Sequence, residues 1–150
     1  NNKSNYFFYF LFILIFTQII IGAFVSGLDA GKIYQNWPLM GNSYFPDDLN
    51  IKKMNKFFLF DNRSLVQFYH RNIAYLIAIY IIGVAYFIYN KKIITLNKHL
   101  FLLIFFLFLQ VVLGIMTLLT GLNIYLASLH QIFSLLLTLS AINLYYNYIN

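Results

Sequence analysis

Long apolar blocks separated by short polar ones dominate the chain. Tyr6 to Leu28 carries no charged residue. As a helix rising about 1.5 Å per residue, it is long enough to cross roughly 30 Å of hydrocarbon. The same holds for Ile73 to Tyr89, Leu100 to Thr120 and Ile124 to Tyr146. The pattern predicts an all-α integral membrane protein, a bundle of four transmembrane helices over about 6–28, 65–89, 99–120 and 124–147. Residues 1–150 then form a single membrane domain, with one long loop over 29–63. The turns around Asn90–Lys98 and Gly121–Asn123 are short, so neighbouring helices run antiparallel. The long loop and the Gly121 turn therefore share one face of the membrane, and both termini and the Lys91–Lys98 turn share the other.

A second pattern lies inside the blocks. The first helix holds Gln18-Ile-Ile-Ile-Gly22 and the third holds Gln110-Val-Val-Leu-Gly114, each followed by a helix with a His near its start. The first and third helices run the same way, so the two copies form a parallel repeat about an axis along the membrane normal. His70 comes seven positions after Arg63 and His130 seven after Asn123, which puts both about 10 Å into the helix. Residues three and four apart share a helix face. On that rule His70, Ala74 and Ala78 form one small-residue stripe, and Ala127, His130, Ser134, Thr138 and Ala141 another. Gln18, Gly22 and Ser26 repeat the theme on the first helix, as do Gln110, Gly114, Thr117 and Gly121 on the third.

Composition agrees with the membrane reading. The chain is 61% apolar and 9% charged, whereas soluble domains are nearer half and a quarter. The net charge of +6 comes from ten basic residues against four acids, and the basic residues fall between the apolar blocks. That distribution points to lipid headgroups and topology control, and away from nucleic acid. The compact Lys91, Lys92, Lys98 turn together with Lys3 predicts a cytoplasmic or matrix face, leaving the 29–63 loop outside. The chain has no Cys, so disulfides, thiolate ligands and iron–sulfur clusters are excluded. It has no Glu, and Asp29, Asp47, Asp48 and Asp61 all lie outside the apolar blocks, which argues against a buried carboxylate proton relay. The sequence begins at Asn1, and its first apolar block is too long for a signal-peptide core, so a longer protein is expected.

Small residues alone are explained by close helix packing. Two imidazoles at matching depth are not, because a His inside a membrane segment is costly and marks a functional site by default. Flanked by small residues that leave room for a flat macrocycle, His70 and His130 are expected to be the two axial ligands of a b-type haem iron. Zinc is a poor rival without a third or fourth ligand at that depth. His99, at the opposite face beside Lys98, is expected to be interfacial. Arg71 is either a snorkelling side chain or the partner of a haem propionate, which its guanidinium fork suits. Gln67, one turn before His70, either orients that imidazole or caps the helix region. Tyr34, Trp37 and Tyr44 read as interfacial anchors, or as cover for the haem edge.

The strings Gly22-Ala-Phe-Val-Ser-Gly-Leu-Asp-Ala-Gly31, Tyr34-Gln-Asn-Trp-Pro-Leu-Met-Gly41 and Leu65-Val-Gln-Phe-Tyr-His-Arg71 closely resemble the second half of haem A synthase. Leu109-Gln-Val-Val-Leu-Gly-Ile-Met-Thr-Leu118 and Leu126-Ala-Ser-Leu-His-Gln131 resemble the last two helices of the same family. The resemblance runs in order from about Gln18 to Leu137. It implies one half of a pseudo-symmetric eight-helix enzyme that oxidises a methyl group of haem O to the formyl group of haem A for cytochrome oxidase. It also implies that haem b is held between His70 and His130, while the substrate haem O binds the other, N-terminal half, which would be this segment's partner. A glutamate that the family places in that half is not in this chain, so the segment alone is expected to be inactive. Further partners implied are membrane lipid, haem O synthase and an electron donor, in a bacterial cytoplasmic membrane or the mitochondrial inner membrane. The alternative is a stand-alone bis-His haem b electron-transfer membrane protein, and a weaker one a structural membrane subunit with no cofactor.

Overall fold

The computed structural model describes residues 2–49 and 60–150. Residues 50–59, with Lys52, Lys53 and Lys56, and the side chain of Lys3 lie outside the described part. Four α-helices account for most of it: α1 (Asn2–Gly27), α2 (Arg63–Asn90), α3 (Asn97–Leu119) and α4 (Ile124–Ile149). Each is long and apolar enough to cross a membrane. No strand occurs among the described residues; one isolated bridge joins Met40 and Ser43. The helices run a few residues beyond the apolar blocks because their ends are set by caps, which hydropathy does not register. The side chain of Asn62 accepts from Leu65 N at 3.1 Å, and that of Asn123 from Tyr125 N and Leu126 N, so α2 and α4 begin where orphan amides find an acceptor.

The turn between α3 and α4 shows why it can be so short. Leu122 N donates back to Thr117 O at 2.9 Å and Gly121 N to Leu118 O at 3.2 Å, closing the helix with a Schellman turn. Gly121 takes the left-handed conformation this needs, at φ 70°. The turn after α2 uses the same device, with Lys92 at φ 54° and Ile93 N donating to Ile88 O.

α1 packs mainly along α2, and α3 mainly along α4. The two pairs are joined by a buried apolar cluster at the end that carries the termini: Phe8, Leu11 and Ile15 of α1, Ile77 to Ile88 of α2, Leu103 of α3, and Leu137 to Leu144 of α4. There the Phe8 ring meets Tyr145 and Tyr148, with centres 5.3 and 4.7 Å apart. Outward-facing Ile13, Phe16, Ile79, Ile82, Ile132 and Leu135 are exposed, as lipid contact requires. On α2 and α4 the cluster starts only at Ile77 and Leu137, each seven residues or about 10 Å beyond its histidine. Gly22, Gly114, Gln18 and Gln110 lie against the histidines themselves.

The loop after α1 is tied down. It opens with a 3₁₀ turn, Ala30–Lys32, whose Gly31 lies so near the α3–α4 turn that a Cβ there would sit 2.8 Å from Leu122 Cδ2. Gly41 has φ 88°, and a Cβ on it would run into Asp47 Oδ2.

Candidate functional site

The repeated Gln-x-x-x-Gly string becomes a repeated seat for an imidazole. Positions i and i+4 share one helix face, so Gln18 and Gly22 of α1 both look at His70 of α2. Gln110 and Gly114 of α3 look in the same way at His130 of α4. Gln18 Nε2 lies 3.4 Å from His70 Nε2 and also donates to the His70 carbonyl at 3.0 Å. Gln110 Nε2 lies 3.4 Å from His130 Nε2. A Cβ on Gly22 would stand 3.1 Å from His70 Cε1, and one on Gly114 would stand 3.0 Å from His130 Cε1. Each ring is therefore packed against bare helix backbone at its Cε1 edge and meets an amide at Nε2.

The two seats face each other. The His70 and His130 ring centres are 6.5 Å apart and the ring planes cross at 77°. Both Nδ1 atoms are buried without a hydrogen-bond partner, as are Gln18 Oε1 and Gln110 Oε1. Unpaired buried polar atoms cost about 1–3 kcal/mol each. Four of the six such side-chain atoms among the described residues lie around this one pair of facing rings. Among the described residues no group of three or more His, Cys, Asp or Glu gathers that could hold a bare metal ion. His99 stays at the other end of the bundle, at the start of α3.

Above the histidines, the loop is strapped to one face of α2. Ser64, Gln67, Arg71 and Tyr75 recur at helical spacing, and each engages the loop. Ser64 Oγ donates to Asp48 Oδ2 at 2.7 Å. Gln67 Nε2 donates to Tyr34 O at 2.8 Å. Arg71 donates from Nη1 to Leu39 O at 3.0 Å and from Nη2 to Tyr34 O at 3.1 Å. Trp37 Nε1 donates to Tyr75 Oη at 2.9 Å, and Tyr44 Oη donates to Asn72 Oδ1 at 2.5 Å. Gln67 and Arg71 thus hold loop carbonyls, and Tyr34, Trp37 and Tyr44 are hydrogen-bonded parts of the strap, a role their aromatic character alone does not reveal. Tyr34 also donates to Asp48 Oδ1 at 2.6 Å; burial first, and this bond second, hold its phenol above the usual range. At the loop tip, the Asn42 amide and the Ser43 hydroxyl both donate to Asp47 and hold its carboxyl below the usual range.

Known proteins carry the same sequence pattern. Residues 1–142 match the model of a family described as cytochrome oxidase assembly protein. A protein of Pelagibacter ubique named heme A synthase is 46% identical over 136 residues, 91% of this chain and 40% of the relative. One of the same name from the Wolbachia of Brugia malayi is 39% identical over 127 residues, 85% of this chain and 36% of the relative. Another from Bartonella tribocorum is 37% identical over 143 residues, 95% of this chain and 40% of the relative. No solved structure matches. The chain spans about two fifths of the length of the curated relatives it matches. With the family model covering nearly all of its residues, and with four membrane-capable helices, the chain belongs to the cytochrome oxidase assembly protein family.

Proposed function

We propose that this chain is the haem b-binding half of a haem A synthase, with His70 and His130 as the two axial ligands of the haem iron. One observation carries the reading: two imidazoles on different helices face each other at the same depth, 6.5 Å between ring centres. Two imidazoles on opposite sides of one metal need about 6 Å, from metal–nitrogen bonds of about 2 Å and roughly 1 Å from nitrogen to ring centre. The two His lack the further protein ligands that a bare ion requires, whereas a porphyrin brings four nitrogens of its own. The glycine backbones beside the rings and the start of the fully buried apolar cluster seven residues beyond each histidine fit the same group.

Held by His70 and His130, a haem would supply one-electron redox chemistry. The chain's own residues then bind, orient and shield. α2 and α4 present the two rings, and Gly22 and Gly114 let the Cε1 edges of the rings come close to α1 and α3. The strapped loop closes the outer end, held by Gln67 and Arg71. Arg71 has five N–H groups, and two go to Leu39 O and Tyr34 O, which leaves donors for a haem propionate. No carboxyl side chain lies in the apolar part of any helix to move protons during oxidation of a methyl group. In this reading the oxidation of haem O to haem A takes place in the N-terminal part of a longer protein, and the present segment acts as its redox neighbour.

The reading is tested in cells that accumulate haem O. The chain is expressed alone, or together with the remaining part of a full-length relative, and the pigments are extracted and separated. Haem A is expected only from the combination. Haem A made by the chain alone would overturn the division of labour, and a chain that never carries haem b would overturn the cofactor assignment.

A further inference from the structure

Each ligand histidine has a glutamine whose role the proposed function leaves open. A glutamine in a membrane helix is costly, and here two half-buried ones with buried Oε1 atoms occur at equivalent places, each at the same 3.4 Å from an imidazole Nε2. An amide nitrogen only donates, so the imidazole nitrogen facing it must be the one with a free lone pair. In a neutral ring the proton then sits on Nδ1, at the edge packed against glycine. Gln18 is held in this sense by its second bond to the His70 carbonyl, since turning the amide over would set oxygen against oxygen. In an unconstrained side chain the Nε2–H form is the commoner tautomer, so the site selects the other one.

We propose that Gln18 and Gln110 are positioning residues that fix both histidines in the Nδ1–H tautomer before haem arrives, keeping Nε2 as the ligating nitrogen. The contacts are long for hydrogen bonds, near the limit at which they count at all. They direct the ring and its proton, and yield cheaply when iron takes the same lone pair. Gly22 and Gly114 complete the arrangement: with no Cβ in the way, each ring reaches its glutamine on the same helix face. The inference rests on the haem b reading for its purpose, but the tautomer itself is a property of the haem-free chain.

The test therefore has two arms. In the first, the haem-free chain is labelled with ¹⁵N-histidine, and the nitrogen shifts of His70 and His130 are read in detergent. The Nδ1–H form is expected for both, moving toward Nε2–H in Gln18→Leu and Gln110→Leu. Both rings in the Nε2–H form in the unaltered chain would overturn the proposal. In the second, haem b is titrated into each protein, and the low-spin electron paramagnetic resonance signal is recorded. Each Leu variant loses the preset Nδ1–H tautomer and is expected to bind haem b several-fold more weakly. Gln131→Leu, at an exposed glutamine beside His130, should match the unaltered chain. Leu variants with unaltered affinity would overturn the positioning role while leaving the haem site standing. Failure of the unaltered chain to bind haem b would remove the cofactor reading alone, and the nitrogen shifts would still decide the tautomer.

Discussion

Replacing Gly22 or Gly114 by alanine adds one methyl group where the structure has no room for it. The new Cβ would lie 3.1 Å from His70 Cε1 or 3.0 Å from His130 Cε1, several tenths of an ångström inside normal carbon–carbon contact. The imidazole is a rigid ring on a short stem, so it has to tilt or its helix has to move, and overpacking of this kind costs about 1–3 kcal/mol. Alanine returns about 1 kcal/mol through helix propensity. The net loss is roughly 0–2 kcal/mol, which is up to about thirtyfold in haem affinity if it falls on the bound state. Gly83→Ala gives the comparison, because a Cβ at Gly83 meets nothing within 4 Å and only the propensity gain remains. Haem occupancy per chain, the low-spin resonance and the thermal midpoint are measured for all three. Gly22→Ala and Gly114→Ala should lose haem and shift the resonance, while Gly83→Ala keeps both and melts slightly higher. If all three variants behave alike, the glycines are not seats for the rings.

Three more outcomes follow from the loop and its side of the membrane. Arg71→Ala removes two charge-assisted hydrogen bonds to Leu39 O and Tyr34 O and should loosen the loop by about 2 kcal/mol, read as faster proteolysis near Leu39; equal cleavage rates would refute the strap. The Asp47 carboxyl is held below its ordinary value of 3.8 by Asn42 N and Ser43 Oγ. Its contribution is present above that value and is lost as pH falls through the lower folded one, so the protection of the Asn42 amide relative to its intrinsic exchange rate should fall on acidification below about pH 4. Asp47→Asn should abolish that dependence, and a pH-independent Asn42 in the unaltered chain would contradict it. Single cysteines introduced at Ser43 and Asn97 should be labelled from outside and inside respectively; labelling of Asn97 alone from outside would invert the topology.

What sequence revealed and what it hid have the same cause, which is range. Helix existence follows from local hydropathy, and the facing of His70 and His130 follows from two local strings repeated at one depth. The Gln-x-x-x-Gly motif was visible as a repeat, yet its small-residue stripe reads equally as packing. Only the structure shows that Gly22 and Gly114 touch imidazoles. The loop straps join residues such as Trp37 and Tyr75, or Tyr44 and Asn72, that are ordinary polar and aromatic types far apart in the chain. One signal did exist: Ser64, Gln67, Arg71, Asn72 and Tyr75 make a polar face on an otherwise apolar helix, and such a face needs a partner. The placement of the apolar cluster at one end only was invisible, since hydropathy along a helix does not say which of its residues meet another helix.

The central claim is that His70 and His130 together hold one haem iron, and the optical and resonance spectra of the membrane-extracted chain test it most directly. The unaltered chain should show a six-coordinate low-spin haem b. His70→Ala and His130→Ala should each lose haem or turn high-spin, while His99→Ala, at the far end of the bundle, should leave the spectrum as it was. An unchanged low-spin spectrum in both His70→Ala and His130→Ala would contradict the account.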